Sequence, residues 1–210
     1  RQDGEECEMT IWLVQGNQHK QEPKFNATRS VSNHNTLTHP TLSLAGMDQG
    51  NKNIFPSEPD RRDVWVPDKT QGYIAAYVVR EEGEQSVCCL ATGVTVSVPT
   101  ATLSEMNPPK FDKAADIAEL THLNEASVVH NLRQRYFSNL IYTYSGLFLV
   151  AVNPYHSLPI YTEQIIEMYK NKRRQENAPH IFAIADGAMQ NMLKGHANQS
   201  LLITGESGAG

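Results

Sequence analysis

The 210-residue chain carries 18 Lys and Arg against 23 Asp and Glu, a formal charge of −5. That balance sets aside a general nucleic-acid binder, whose footprint is a basic face. A hydrophobic content of 40% and a mean hydropathy of −0.46 are low for a fully packed chain, so either a sizeable stretch is disordered or partners complete the core.

No apolar run approaches the roughly 20 residues of a membrane helix, which predicts no membrane partner. Cys7, Cys88 and Cys89 form no pair or cluster at metal spacing, which predicts buried thiols in a reducing compartment and no metal site. Cys88 and Cys89 are adjacent in an expected strand and so face opposite ways.

Residues 1–60 read as a disordered polar extension. From 15 to 60 the chain is crowded with Asn, Gln, His, Ser, Thr and Pro and shows neither a period of 2 nor of 3.6. Such a segment buries too little apolar surface to offset its ordering entropy. Thr10-Ile11-Trp12-Leu13-Val14 is its one apolar island and is expected to be a short docking element. His34 and His39 lack a third ligand or a rigid support and are expected to be solvated.

At Asp63 the pattern changes. Val64-Trp65-Val66, 72–80, 86–91 and 94–98 are short β segments rich in Val, Tyr, Thr and Ile, with breaks expected at Pro67, Glu82-Gly83, Gly93 and Pro99. Several short strands with tight turns predict a small all-β barrel over 61–108, closed to remove exposed edges. Asn107-Pro108-Pro109 ends it.

Residues 109–210 alternate helical and strand patterns. Asn124 is placed to cap a helix with Val128, Val129, Leu132 and Tyr136 at helical spacing. Runs at 140–144 and 147–152 flank Ser145-Gly146 and predict a hairpin. Thr162 is expected to cap a helix through Tyr169. Pro179 precedes another, with Ile181, Ile184, Ala188 and Met192 on one stripe and Gly195 as its end. Leu201-Leu202-Ile203 has the look of a strand buried in an α/β sheet.

Two groups of residues carry chemistry. Gly205-Glu206-Ser207-Gly208-Ala209-Gly210 has the G-x-x-x-x-G spacing of a phosphate loop, in which glycines let consecutive backbone N–H groups turn toward phosphate oxygens. On spacing alone such a turn is as readily structural as functional; the preceding apolar strand is the context the motif needs. Asn153-Pro154, followed at the end of a proline-stiffened loop by Tyr161, offers an amide and a ring to a flat heterocycle, although an Asn-Pro turn beside a packed Tyr is commonly only a turn.

Several strings, in order, resemble myosin heavy chains from about Asp63 to Gly210. Residues 201–210 resemble the strand and P-loop of that family, and Pro179-His180-Ile181-Phe182-Ala183-Ile184-Ala185 the segment upstream of it. Asn153-Pro154-Tyr155 through Leu158-Pro159-Ile160-Tyr161 resembles its purine-binding loop. Met106-Asn107-Pro108-Pro109-Lys110-Phe111-Asp112 and Leu120-Thr121-His122-Leu123-Asn124-Glu125-Ala126 resemble the linker and first helix of the conventional, class-II-like branch. Val64-Trp65-Val66-Pro67-Asp68 is similar to the start of that branch's SH3-like barrel.

The resemblance implies an SH3-like barrel followed by the incomplete α/β start of a P-loop NTPase motor domain, cut at Gly210. It implies that Asn153, Pro154 and Tyr161 sit beside the adenine of ATP, and that Gly205, Glu206, Ser207, Gly208, Ala209 and Gly210 line the phosphates. The Mg-ligating position of the loop falls beyond Gly210, and no catalytic residue lies within the 210. Implied partners are actin filaments, light chains and a second heavy chain, in the cytoplasmic cytoskeleton. His156 stands where the family often has a basic residue. The polypeptide as written is expected neither to hydrolyse ATP nor to move on actin, and its sheet strands to lack neighbours. A non-catalytic interaction module using the barrel's Trp65, Tyr73 and Tyr77 is the alternative, and an unrelated P-loop kinase or NTPase a third.

Overall fold

A computed structural model describes residues 11–16 and 61–205. These form two compact units, one of residues 61–146 and one of 147–205 together with 11–16. The rest of the extension and residues 206–210 lie outside the described residues. Strand β1 (Ile11–Gly16) belongs to the second unit.

The first unit opens with β2 (Asp63–Asp68), β3 (Gly72–Glu82), β4 (Gln85–Leu90), β5 (Thr95–Pro99) and β6 (Ser104–Glu105). They make one antiparallel sheet in the order β5-β4-β3-β2-β6. Turns at Gly83 (φ 62°) and Gly93 (φ 84°) use the left-handed region that favours glycine. A register shift between Val78 and Arg80 marks a bulge in β3, which bends the strand. Pro67 lies inside β2 instead of breaking it. Because β6 pairs only with Val64 and Trp65, β2 is an edge strand at that point and tolerates a proline.

Period-2 alternation divides the buried side chains. Val64, Val66, Ala76 and Cys88 gather Val78, Leu90, Val96, Val98 and Leu103 on one face. Burial raises the Cys88 thiol's pKa, which keeps it protonated and unreactive. On the opposite face Trp65 and Ala75 pack with Ala126, Tyr73 and Met106. The Trp65 ring centroid lies 4.8 Å from that of His130. At 6% exposure Trp65 is core, and it offers no open aromatic groove to a peptide.

Helix α1 (Glu125–Tyr136) begins where its cap predicts. Asn124 Oδ1 accepts from Ser127 N at 2.9 Å, and Asn124 Nδ2 donates to the Glu105 carbonyl at 2.9 Å, so one side chain both caps the helix and ties it to β6. Asn107 exchanges two 2.8 Å bonds with the His122 backbone. His130 is kept neutral chiefly by burial, with Arg133 also lowering its pKa and Asp112 opposing. Arg135 reaches from the last turn toward β7 (Tyr142–Ser145) and donates to Thr143 Oγ1, the Lys113 carbonyl and the Tyr142 carbonyl.

The second unit contains β8 (Phe148–Val152), α2 (Glu163–Tyr169), α3 (Ile181–Gly195) and β9 (Leu201–Thr204). β1 pairs antiparallel with both β8 and β9, so those two strands run in the same direction with β1 between them. Leu149, Val150 and Val152 of β8 are buried, as are Tyr169 and Ile184.

Three local expectations change. Thr162 occupies the N-cap of α2 but makes no side-chain cap bond; Glu163 stands in the first turn, where a negative charge complements the helix dipole. Gly195 stays helical, and the left-handed terminator of α3 is His196, at φ 50°. The apolar run 201–203 is a strand but not a buried one: Leu202 and Ile203 are 59% and 60% exposed. β9 is the edge strand of its sheet among the described residues, paired there with β1 only. Likewise, of the α3 stripe only Ile184 is buried, and Met192 is exposed.

Candidate functional site

The register of β1 against β8 and β9 decides where the two chemical segments emerge. Val152, the last residue of β8, pairs with Ile11, and Thr204, the last of β9, pairs with Leu13. Both strands therefore leave the sheet at the same end, near the start of β1 and within two residues of register. With one strand between them, Asn153 and Gly205 follow strands roughly 10 Å apart. Gly205 is exposed. Glu206, Ser207, Gly208, Ala209 and Gly210 lie outside the described residues.

The loop after β8 turns on its own polar groups. Asn153 Oδ1 accepts from Tyr155 N at 2.9 Å, an Asx turn that carries Tyr155 to φ 54°. His156 Nδ1 donates to the Pro154 carbonyl at 2.6 Å, which folds its ring back on the loop. The Asn153 oxygen being engaged, its Nδ2 hydrogens are what the amide can offer a heterocycle.

At the far end Tyr161 is 51% exposed, with one part of its ring packed and the rest open. Its centroid lies 5.6 Å from that of His180 and 6.1 Å from that of Phe182. His180 in turn sits 4.5 Å from Phe182 and 5.0 Å from Tyr169, whose hydroxyl donates to the Ala178 carbonyl at 2.9 Å. These spacings are those of interacting aromatic pairs. His180 is buried, and its Nδ1 accepts from Phe182 N at 3.1 Å as the N-cap of α3. Burial lowers its pKa, while the Ile160 backbone works the other way.

An exposed aromatic face, an amide and a rigid turn at a strand end can hold a planar, hydrogen-bonding ring. Among the described residues no group of three or more His, Cys, Asp or Glu could hold a metal ion. The sequence supplies Asn153, Pro154 and Tyr161, and the structure places them on one loop. It also adds His180, Phe182 and Tyr169 as an aromatic cluster around the Tyr161 end of that loop. The one local sign of His180's role is its position just before a helical stripe.

Two family models match the chain. Residues 59–107 match the family model of the myosin N-terminal SH3-like domain, and residues 114–210 that of the myosin head (motor domain). The chain is similar to "Myosin heavy chain, non-muscle" of Drosophila melanogaster, 58% identical over 148 residues, 70% of this chain and 7% of the relative. It is similar also to "Myosin-14" of Mus musculus and of Homo sapiens, each 56% identical over 152 residues, 71% of this chain and 8% of the relative. The chain thus spans less than a tenth of the length of these curated relatives. Among the described residues no helix is long and apolar enough to cross a membrane.

Proposed function

We propose that this chain, a myosin N-terminal SH3-like domain followed by the start of a myosin motor domain, contributes two walls of the ATP site of an actin-based motor. The parent activity is ATP hydrolysis coupled to movement on actin filaments, in the conventional, class-II-like branch. Light chains and a second heavy chain are its further partners, and the cytoplasmic cytoskeleton its location. The similarity to non-muscle heavy chains supports this reading.

Asn153, Pro154 and Tyr161 flank the adenine. Gly205, Glu206, Ser207, Gly208, Ala209 and Gly210 present backbone amides to the phosphates. Mg arrives with the triphosphate, and none of the described residues is assigned to it. The observation that carries the assignment is the common sheet end from which β8 and β9 emerge. Ligands of open α/β sheets sit outside the carboxyl ends of the strands. Phosphoryl transfer depends mainly on positioning and charge stabilisation, and these two walls supply positioning.

In the protein, Tyr161→Ala is expected to weaken ATP binding roughly fivefold to thirtyfold, the range of one aromatic contact plus its buried area. Affinity for inorganic tripolyphosphate should stay unchanged. Calorimetric titration with both ligands decides the matter: an equal loss for both, or no loss for ATP, removes Tyr161 from the adenine side.

A further inference from the structure

We propose that His180 is the positioning residue of the 153–161 loop: as a neutral imidazole it caps α3 through Nδ1 and, with the same ring, holds Tyr161 in place. The consequence for nucleotide binding rests on the adenine reading above; the fastening itself does not.

The geometry leaves the ring one protonation state. Nδ1 accepts from Phe182 N at 3.1 Å, so in the neutral form the ring hydrogen is on Nε2. The side chain is 4% exposed and has Tyr161, Tyr169 and Phe182 around it, at centroid distances of 5.6, 5.0 and 4.5 Å. Those rings come from the loop end, from α2 and from the first turn of α3, so a single imidazole joins three elements. The loop's other anchor is the Asx turn at Asn153, eight positions back along the chain. Phe182 also meets the Tyr161 ring, at the longer centroid distance of 6.1 Å.

The state is also electrostatically consistent. The ionisable groups among the ring partners are the phenols of Tyr161 and Tyr169, and α3 has no acidic residue in its first turn. Burial lowers the imidazole's pKa, and the Ile160 backbone opposes it. A proton on Nδ1 would set donor against donor at Phe182 N and a positive charge at the helix's positive end. The folded-state pKa is depressed, so the fastening is complete above the ordinary imidazole value. It is lost as pH falls through the lower folded value.

Two substitutions separate the roles. Asn is a strong N-cap, so His180→Asn keeps the cap and removes the ring; His180→Phe keeps a ring and removes the cap. In His180→Asn, NMR without nucleotide should show Tyr161 losing its contacts to Phe182, with exchange of the first α3 amides unchanged. ATP affinity should fall roughly threefold to tenfold, the scale of one aromatic contact, with tripolyphosphate affinity unmoved. His180→Phe should rescue the Tyr161 contacts and speed exchange of the first α3 amides by roughly fivefold. Wild-type Tyr161 contacts in His180→Asn would overturn the proposal, as would ring-nitrogen shifts showing Nδ1 protonated at neutral pH. Lost contacts with unchanged ATP affinity would keep the fastening and discard the adenine assignment.

Discussion

Replacing Arg135 by methionine is expected to destabilise the 61–146 unit by about 3–5 kcal/mol, the cost of breaking a buried polar network. Arg135 is 4% exposed and donates to three neutral oxygens: Thr143 Oγ1 at 2.8 Å, the Lys113 carbonyl at 2.8 Å and the Tyr142 carbonyl at 2.7 Å. Burial alone lowers its pKa, yet a guanidinium remains charged at neutral pH. Methionine fills similar space without a donor, leaving three acceptors to lose their bonds at about 1–3 kcal/mol each, part of which relaxation recovers. The double variant Arg135→Met with Thr143→Val removes one orphan and should regain about 1 kcal/mol. Urea unfolding followed by amide exchange within 113–145 measures both. A loss below about 1 kcal/mol for the single variant would mean that the network is incidental.

The second large effect falls in the other unit. Leu149→Ala is expected to cost about 3–4 kcal/mol, within the range for burying an alanine-sized stub and a cavity in a core. Leu149 is completely buried in β8, the strand that sets where Asn153 leaves the sheet. The same truncation at Ile203, 60% exposed in β9, should cost less than about 0.5 kcal/mol. Both residues belong to apolar runs that read alike in sequence, so the contrast tests the observed burial. Denaturant midpoints of the two variants give the comparison, and similar losses at both would contradict the exposed edge.

That contrast explains what was legible. Alternation in Val64-Trp65-Val66 told which side chains share a face because the period of a strand is a local property. The Asn124 cap was readable for the same reason: an N-cap acts within three residues. The burial of 201–203 was not readable, since an apolar run reports what a strand could bury and not what covers it. Nor could the sequence place Ile11–Gly16 between β8 and β9, because pairing across 133 to 191 positions leaves no local trace.

The candidate site divides along the same line. Asn153, Pro154 and Tyr161 stand out as an amide and a ring on a proline-stiffened loop, and the resemblance implies their role. The common exit of β8 and β9 needed the register, and His180 needed the packing. Imidazole is an uncommon N-cap, so a His before a helix carries little signal until its ring neighbours are seen.

The central claim is that the loop from Asn153 to Tyr161 lies against adenine while the segment beginning at Gly205 meets the phosphates. Photolabelling the protein with 2-azido-ATP and mapping the modified peptide by mass spectrometry tests it most directly. The account predicts labelling within 153–161 that excess ATP suppresses. Labelling confined to 61–108, or labelling that ATP does not compete away, would contradict it.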